Sequence, residues 1–260
     1  MNNFPVHLDY VFEIEKIFVY LSIFYTNIMG ASKGKYTYDY PRPSVTTDCV
    51  IFGYDGKELK VLLIERGIEP FKACWAFPGG FLGMDEDALS SAKRELKEET
   101  GLENAFVEQF HTFSEVGRDP RGRVLTIAHY ALVRIQEVRG GDDAAQARWF
   151  SIADVPHLAF DHDRILRMAL TRLREKIHFE PVGFELLPEI FTMPQLQNLY
   201  ESILEVHFDR RNFAAKMLKL GILEEVGGRP ESAGPRIPVK YRFNRDNYFS
   251  MKSKGFRLEF

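Results

Sequence analysis

The feature that most constrains this chain is a group of three glutamates at helical spacing that follows a glycine-rich segment. Glu95, Glu98 and Glu99 stand at positions i, i+3 and i+4, so a helix places all three carboxylates on one face. Like charges at this separation repel one another, and a hard divalent cation among them removes the repulsion. Mg²⁺ suits such a site because it takes carboxylate, water and phosphate oxygens as ligands. The segment therefore predicts a helix with a metal site on one face.

An ordinary charged helix is the alternative, in which the glutamates are solvated and Arg94 forms a common i,i+4 ion pair with Glu98. The spacing of the flanking residues argues against it. Gly80 is followed by Glu86 and then by residues 94–102 (RELKEETGL). This segment resembles the Nudix box, G-x5-E-x7-R-E-U-x-E-E-x-G-U with U aliphatic, at every specified position. The resemblance implies that Arg94 pairs with Glu86 and holds the loop against the helix.

The resemblance to Nudix hydrolases also implies a division of roles. Glu98 and Glu99 are expected to be the main metal ligands, and Glu95 a further ligand or a base. Gly80 is expected to offer its carbonyl oxygen to the metal, and Gly79 and Gly80 to border the substrate. The expected cofactor is Mg²⁺, with Mn²⁺ as an alternative, and the substrate class is a nucleoside-diphosphate compound. The predicted catalytic group consists of Glu86, Arg94, Glu95, Glu98 and Glu99.

The pattern of apolar residues around this segment predicts an α/β (or α+β) core over residues 40–178, with a mixed sheet between helices. The helix over residues 85–100 has Asp85 or Asp87 as its N-cap and ends at Gly101. By resemblance the core is a Nudix α/β/α sandwich. The predicted strands cover residues 44–54, 60–65, 106–116, 124–135 and 147–151, and a second helix covers residues 161–178.

Three arginines lie in a Pro/Gly loop between two predicted strands: Arg118, Arg121 and Arg123. Guanidinium groups suit phosphate or carboxylate partners, which makes these residues candidates for substrate binding. A similar RDPRG stretch occurs in Nudix proteins that act on ADP-ribose and related sugar nucleotides. The alternative is a solvated basic turn. His162, close behind this region, is interpreted either as part of a helix cap or as a catalytic histidine.

The character of the sequence changes after Phe179. Pro181 and Pro188 indicate a linker, and the strand–helix alternation does not resume. Two short helices are predicted over residues 194–205 and 209–220, followed by two strands joined by a Gly/Pro-rich segment. This is the order of a winged helix-turn-helix, so residues 179–260 form the second predicted domain.

Basic residues are concentrated in this second domain, where they outnumber acidic ones by 12 to 6 over residues 206–260, although the net charge of the chain is −3. Phosphate contacts from such a surface would supply the salt-dependent part of DNA affinity, and Arg211 and Asn212 suit base edges in the major groove. The alternative is a basic dimerisation or substrate-facing domain. The predicted DNA-binding residues are Arg210, Arg211, Asn212, Lys216, Lys219, Arg229, Arg236 and Lys240.

Residues 191–225 also resemble the C-terminal part of the Nudix-related transcriptional regulators. That resemblance implies a homodimer that binds a double-stranded DNA operator and responds to a ligand, either a nucleoside-diphosphate sugar such as ADP-ribose or a simple sugar. Many regulators of this kind have lost box residues and with them hydrolysis, whereas this sequence retains them all. The second hypothesis is a working Nudix hydrolase whose C-terminal domain serves dimerisation.

The N-terminal segment, residues 1–39, is treated as an extension. Its apolar run over residues 17–25 is too short to span a membrane and lacks the basic flank of a signal peptide. Translation that starts at Met29 is one interpretation, and an amphipathic arm is the other. Cys49 and Cys74 lie in hydrophobic runs without metal-ligand spacing, which favours reduced thiols and a cytoplasmic protein without membrane association.

Overall fold

The central strand of the main sheet is an apolar segment that is buried on both faces. In this computed structural model, which describes residues 38–103, 105–135, 144–227 and 238–256, strand β1 spans Ser44–Tyr54. It pairs in parallel with β6 (Val124–Arg134) along its whole length. On its other side it pairs antiparallel with β2 (Leu59–Arg66) and β4 (Gly79–Phe81). The remaining strands are β3 (Trp75–Ala76), β5 (Phe106–Phe113) and β7 (Ala144–Ser151).

The sheet is mixed, as predicted, with the order β3-β2-β1-β6-β5, while β4 pairs with β1 and β7 with β2. The hairpin predicted for the first two strands is confirmed by the antiparallel register of β1 and β2. Two predicted boundaries shift, because the strand predicted over residues 106–116 ends at Phe113 and the one predicted over residues 147–151 begins at Ala144. Pairing with a neighbouring strand decides both ends, and local sequence does not reveal it.

Two helices cover opposite faces of this sheet. Alternate β1 residues point to opposite sides, so Cys49 and Ile51 pack with Leu96 of helix α1 (Ala88–Thr100). On the other face, β1 residues join the core formed by helix α2 (His162–Phe179). Asp87 caps α1 by accepting a hydrogen bond from the Ser90 N–H at 2.7 Å, and Gly101 ends it with φ of 72°. The predicted α/β/α sandwich is therefore present.

Residues 181–188, interpreted from their prolines as a linker, are instead part of the hydrophobic core. They form a 3₁₀ helix, Val182–Leu186, whose apolar side chains are buried. Phe184 stacks on Phe243 with ring centroids 4.4 Å apart. The interpretation as a linker was wrong because the apolar residues between the two prolines are buried, and this burial stabilises the packed conformation of the segment.

The C-terminal part of the unit has the order of a winged helix. Its three strands pair in the order β8-β10-β9, and α3 and α4 lie between β8 and β9 along the chain. Both helices begin at residues with built caps, Thr192 with Gln195 at α3 and Asp209 at α4. The two predicted helices are confirmed, whereas β8 and α5 were not predicted. The elements are β8 (Phe191–Thr192), α3 (Met193–Leu204), α4 (Arg210–Lys219), β9 (Leu223–Val226), β10 (Lys240–Phe243) and α5 (Arg245–Ser253).

The winged helix is joined to the sheet by hydrogen bonds as well as by apolar contacts. The Leu59 N–H donates to Ser202 Oγ at 2.8 Å, which ties the β1–β2 hairpin to α3. Arg134, at the end of β6, donates to the Leu187 carbonyl at 2.7 Å, and Arg174 of α2 donates to the Ile203 carbonyl at 2.9 Å. One continuous core cluster runs from β1 through α2 into α3 and α4.

The predictions for residues 17–25 and for Met29 lie outside the described residues. Within the described part of the chain, no helix combines the length and the apolar character needed to cross a membrane.

Replacement of Phe184 tests whether residues 181–188 are packed core. Phe184→Ala should lower the free energy of unfolding by about 3–5 kcal/mol, because the side chain is 5% exposed and its removal leaves a cavity. Phe179→Ala is the matched control, since that ring is 59% exposed and its loss should cost less than about 1 kcal/mol. Urea denaturation measures both. Equal, small losses for the two variants would contradict the packing described for this segment.

Candidate functional site: a cavity beside the glutamate helix

The three glutamates of α1 do not share one environment. Glu95 and Glu99 are buried against the sheet, whereas Glu98 is exposed. Glu99 Oε2 accepts a hydrogen bond from the Gly79 N–H at 2.8 Å, and this contact ties α1 to β4. Burial raises the pKa of Glu95 above its ordinary value. The helix therefore turns the carboxylates of Glu95 and Glu99 toward the sheet and that of Glu98 toward solvent.

Arg94 neutralises much of this acidic cluster. Its guanidinium contacts Glu86 at 2.7 Å, Glu95 at 2.7 Å and Glu98 at 2.9 Å. The predicted Arg94–Glu86 ion pair is thus present, and the hydrogen bond from Arg94 lowers the pKa of Glu86 to about 2. Within the described residues, no three His, Cys, Asp or Glu side chains are arranged to hold a metal ion. In this arrangement Glu95 and Glu98 pair with Arg94, and Glu99 accepts a hydrogen bond from the Gly79 N–H.

The two glycines before α1 are required by close packing. A Cβ on Gly79 would lie 2.3 Å from the Thr47 carbonyl oxygen, and one on Gly80 would lie 2.1 Å from Glu95 Oε1. A side chain at position 79 would clash with the β1 backbone, and one at position 80 would displace the Glu95 carboxylate. The Gly80 backbone therefore lies close to the Glu95 carboxylate, and a shared metal ligand at this point stays a prediction.

A cavity of about 160 Å³ opens beside this loop, between β1, β4 and the start of α2. It includes five of the residues predicted to bind substrate or metal: Gly79, Gly80, Glu99, Arg118 and Arg121. Glu86, Arg94, Glu95 and Glu98 do not line it, and neither does Arg123. Arg123 instead donates to the carbonyls of Ser114 and Glu115, at 2.8 and 3.3 Å, and so holds its own loop.

Arg118 and Arg121 reach the cavity already paired with carboxylates. Arg118 donates to both oxygens of Asp161, at 3.0 and 2.7 Å, and its side chain is only 4% exposed. Arg121 binds Asp119 at 2.7 Å, and its guanidinium lies 5.1 Å from the ring centre of Phe81. The alternative of a solvated basic turn is excluded for Arg118 by its burial. The substrate-binding roles of both arginines stay predictions.

Sequence reasoning missed several side chains that line the cavity, chiefly Asp48, Arg66 and Phe160. Asp48 lies in the middle of β1, and its one available signal was a lone carboxylate inside an apolar strand. Arg66, at the end of β2, places its guanidinium 4.9 Å from the ring centre of Phe160. Phe160 has φ of 55°, a left-handed conformation that is rare for a bulky residue. Their convergence depends on tertiary structure.

His162 is neither a solvated cap nor an exposed base. Its ring is stacked on Phe77 with centroids 5.0 Å apart, and its Nδ1 accepts the Phe77 N–H at 3.0 Å. The neutral ring must therefore carry its proton on Nε2. Burial lowers the pKa of His162 below its ordinary value. Asp161, which precedes it, makes no capping hydrogen bond and binds Arg118 instead.

The second predicted site lies on α4. Its Arg210, Arg211, Asn212, Lys216 and Lys219 are all exposed, because Phe213 and Met217 turn the opposite face into the core. Lys240 on β10 is exposed as well. Arg229 and Arg236 lie outside the described residues. Two nearby arginines are paired, Arg242 with Glu224 and Arg245 with Glu185. The arrangement presents a row of basic and amide side chains on one helix.

Two family models match the chain, one to each part of the fold. The model described as the NUDIX domain matches residues 42–169. The model described as the NrtR DNA-binding winged helix domain matches residues 183–243. Together they cover both the cavity with its glutamate helix and the basic helix α4.

Comparison with individual proteins gives similar results. A protein of Acinetobacter baylyi named ADPR responsive transcriptional repressor NtrR is 34% identical over 81% of this chain and 86% of its own length. An ADP-ribose pyrophosphatase of Methanocaldococcus jannaschii is 41% identical over 49% of this chain and 73% of its own length. The crystal structure of Shewanella oneidensis NrtR complexed with a 27mer DNA superposes with a TM-score of 0.68 and 29% identity, over 82% of this chain and 97% of that one.

The buried His162 should make stability depend on pH. Because its folded-state pKa lies below the ordinary 6.5, the unfolded chain binds the proton first as pH falls. The free energy of unfolding should therefore decrease below about pH 6.5, by up to about 1.4 kcal/mol per pH unit from this group. His162→Gln keeps an acceptor for the Phe77 N–H and should flatten this part of the curve. Denaturant titrations between pH 5 and 8 measure the free energy of unfolding as a function of pH. An unchanged pH dependence in the variant would show that a group other than His162 causes it.

Proposed function

This chain belongs to the Nudix-related transcriptional regulators of the NrtR type, and from that premise we propose that it is an operator-binding protein whose DNA affinity responds to ADP-ribose or a related nucleoside-diphosphate sugar. One observation carries the proposal. A helix with an exposed basic face and a cavity lined by arginines beside a complete Nudix box belong to the same compact unit, residues 43–260. We assign residues 40–178 to ligand recognition and residues 179–260 to DNA.

The proposed DNA surface centres on α4. Arg210, Lys216 and Lys219 suit phosphate contacts, while Arg211 and Asn212, in the first turn, suit base edges in the major groove. Lys240, on β10, and Arg229 and Arg236, in the sequence between β9 and β10, would contact the adjacent DNA backbone. A homodimer would present two copies of α4 to the two halves of an operator. The DNA complex of the Shewanella oneidensis relative supports this assignment.

The proposed ligand site is the cavity beside β4. Arg66, Arg118 and Arg121 bring guanidinium groups to it, which suits the diphosphate of a sugar nucleotide. Phe81 and Phe160 supply apolar surface on the same wall. Two relatives carry ADP-ribose in their names, one as a repressor and one as a pyrophosphatase. ADP-ribose is therefore the ligand to test first.

Hydrolysis of that ligand is the second part of the proposal, because the box is complete. Carboxylate and carbonyl oxygens are suitable ligands for Mg²⁺ or Mn²⁺. The Gly80 backbone lies so close to the Glu95 carboxylate that a Cβ would not fit between them. Glu95, Glu98, Glu99 and the Gly80 carbonyl would hold the cation, which when bound neutralises diphosphate oxygens and lowers the pKa of water. Arg94 contacts the carboxylates of Glu95 and Glu98, at 2.7 and 2.9 Å, and holds both in place.

Glu98→Gln tests the hydrolytic proposal. The exchange removes a proposed metal ligand from an exposed position, so Mg²⁺-dependent release of AMP from ADP-ribose should be lost while the thermal unfolding midpoint is retained. Glu103→Gln is the matched control, because Glu103 is also exposed, lies beyond the end of α1 and, among the described residues, forms an ion pair with Lys97 alone. Full activity in Glu98→Gln would remove that residue from the metal site. ADP-ribose binding without turnover in the wild type would leave a sensor that does not hydrolyse its ligand.

Arg211→Ala tests the DNA surface. A duplex selected by the wild-type protein from a random library should bind the variant about tenfold to a hundredfold more weakly, because a base-edge or phosphate contact is lost. ADP-ribose binding should not change. Arg172→Ala, which removes an exposed arginine from α2, serves as the control and should leave DNA affinity within about twofold. Equal effects of the two substitutions would show that α4 does not enter the groove.

A further inference from the structure

The Asp48 carboxylate is a buried charge without a hydrogen bond from the part of the chain that the structure describes. The residue is 8% exposed and lines the cavity. Its nearest donors are Arg118 Nη2 at 3.6 Å and His162 Nε2 at 3.8 Å, both beyond hydrogen-bond distance. Buried carboxylates in folded proteins are normally hydrogen-bonded, because desolvation of the charge costs several kcal/mol otherwise. The structure therefore leaves this group for a donor from outside the chain.

Both neighbouring donors are held at this distance by bonds of their own. Arg118 is fixed by two hydrogen bonds to Asp161, at 3.0 and 2.7 Å. His162 is fixed by its bond from the Phe77 N–H and by stacking on that ring. Neither can approach Asp48 without breaking those contacts. Arg118 is the positive charge next to the carboxylate, and the neutral His162 lies beside it on the cavity wall.

Asp48 points to the face of β1 opposite to that of Thr47, although it lines the same cavity as Glu99. Adjacent strand residues point to opposite faces, and Thr47 contacts Ser91 of α1 with their hydroxyl oxygens 3.0 Å apart. Asp48 accordingly faces Arg118, which lies between β5 and β6, and His162 at the start of α2. A cation would be repelled by Arg118, so this carboxylate is poorly placed as a metal ligand. It is equally unsuited to a phosphate, which carries the same charge.

With a cation and a phosphate both disfavoured, a neutral hydrogen-bond donor is the partner that suits Asp48. A sugar carries such donors as pairs of neighbouring hydroxyl groups. A carboxylate has two oxygens that can accept from two neighbouring hydroxyl groups. We propose that Asp48 is the acceptor for the vicinal hydroxyls of the ligand's ribose, positioned by Arg118 and His162, and that it makes the cavity selective for ribosyl diphosphates over ligands without a sugar. This inference rests on the function proposed above.

Asp48→Asn tests this assignment by isothermal titration calorimetry. The exchange keeps the shape of the side chain and removes the charge, so ADP-ribose should bind about tenfold to a hundredfold more weakly. Inorganic pyrophosphate, which has no hydroxyl groups of a sugar, should bind both proteins within about twofold or bind the variant more tightly. ADP identifies the sugar: a loss equal to that of ADP-ribose places Asp48 at the adenosine ribose, and no loss places it at the distal ribose.

Asp119→Asn provides the matched control, because Asp119 lines the same cavity but its carboxylate is taken by Arg121. That variant should weaken ADP-ribose, ADP and pyrophosphate alike, through misplacement of the guanidinium. Thermal denaturation verifies that Asp48→Asn is folded, because the exchange keeps the shape of the side chain and a cooperative unfolding transition should be retained.

Three results would overturn the assignment. The first is unchanged ADP-ribose affinity in Asp48→Asn. The second is an equal loss for ADP-ribose and pyrophosphate. The third is a loss of Mn²⁺ affinity in the absence of nucleotide, which would make Asp48 a metal ligand. A wild-type protein that binds no ADP-ribose would overturn the proposed function itself, and this inference with it.

Discussion

The burial of β1 on both faces is the constraint on which the rest of the structure depends. Cys49 and Ile51 require a helix on one side, and Val50 and Phe52 require a helix on the other. The parallel pairing with β6 and the antiparallel pairing with β4 then set the positions of the arginine loop and the glycine loop relative to each other. Asp48, the one charged residue of β1, lines the cavity beside these loops.

Electrostatic balance within the box comes from one guanidinium. Three carboxylates, Glu86, Glu95 and Glu98, converge on Arg94, so the acidic helix is stable as it stands. Glu99 is neutralised differently, by a backbone N–H from Gly79. The glycines thus have two structural functions: they permit the close approach of β4 to β1, and they supply the dipoles that a buried glutamate needs.

What the sequence could predict followed from local interactions. The end of α1 at Gly101, its cap at Asp87 and the two helices of the winged helix depend on residues a few positions apart. The linker interpretation failed because the burial of Phe184 depends on Phe243, nearly 60 residues further along the chain. Arg123 was grouped with its neighbours by spacing, yet it turns to the carbonyls of Ser114 and Glu115. No local sequence pattern indicates that Arg66 and Asp48 belong to a site, because their positions in one cavity depend on the folded sheet.

The hydrogen bonds between the sheet and the winged helix have a consequence for how a signal could travel. Leu59 and Arg174 donate hydrogen bonds to α3, and Arg134 donates one to Leu187, just before β8. The winged helix is therefore fixed to the sheet by direct contacts and is not joined to it by a flexible linker. The distance between two copies of α4 in a dimer is then a geometric property of how the copies meet. Because α3 and α4 share one continuous core cluster with β1 and α2, any displacement of α4 on ligand binding would have to move these packed elements together.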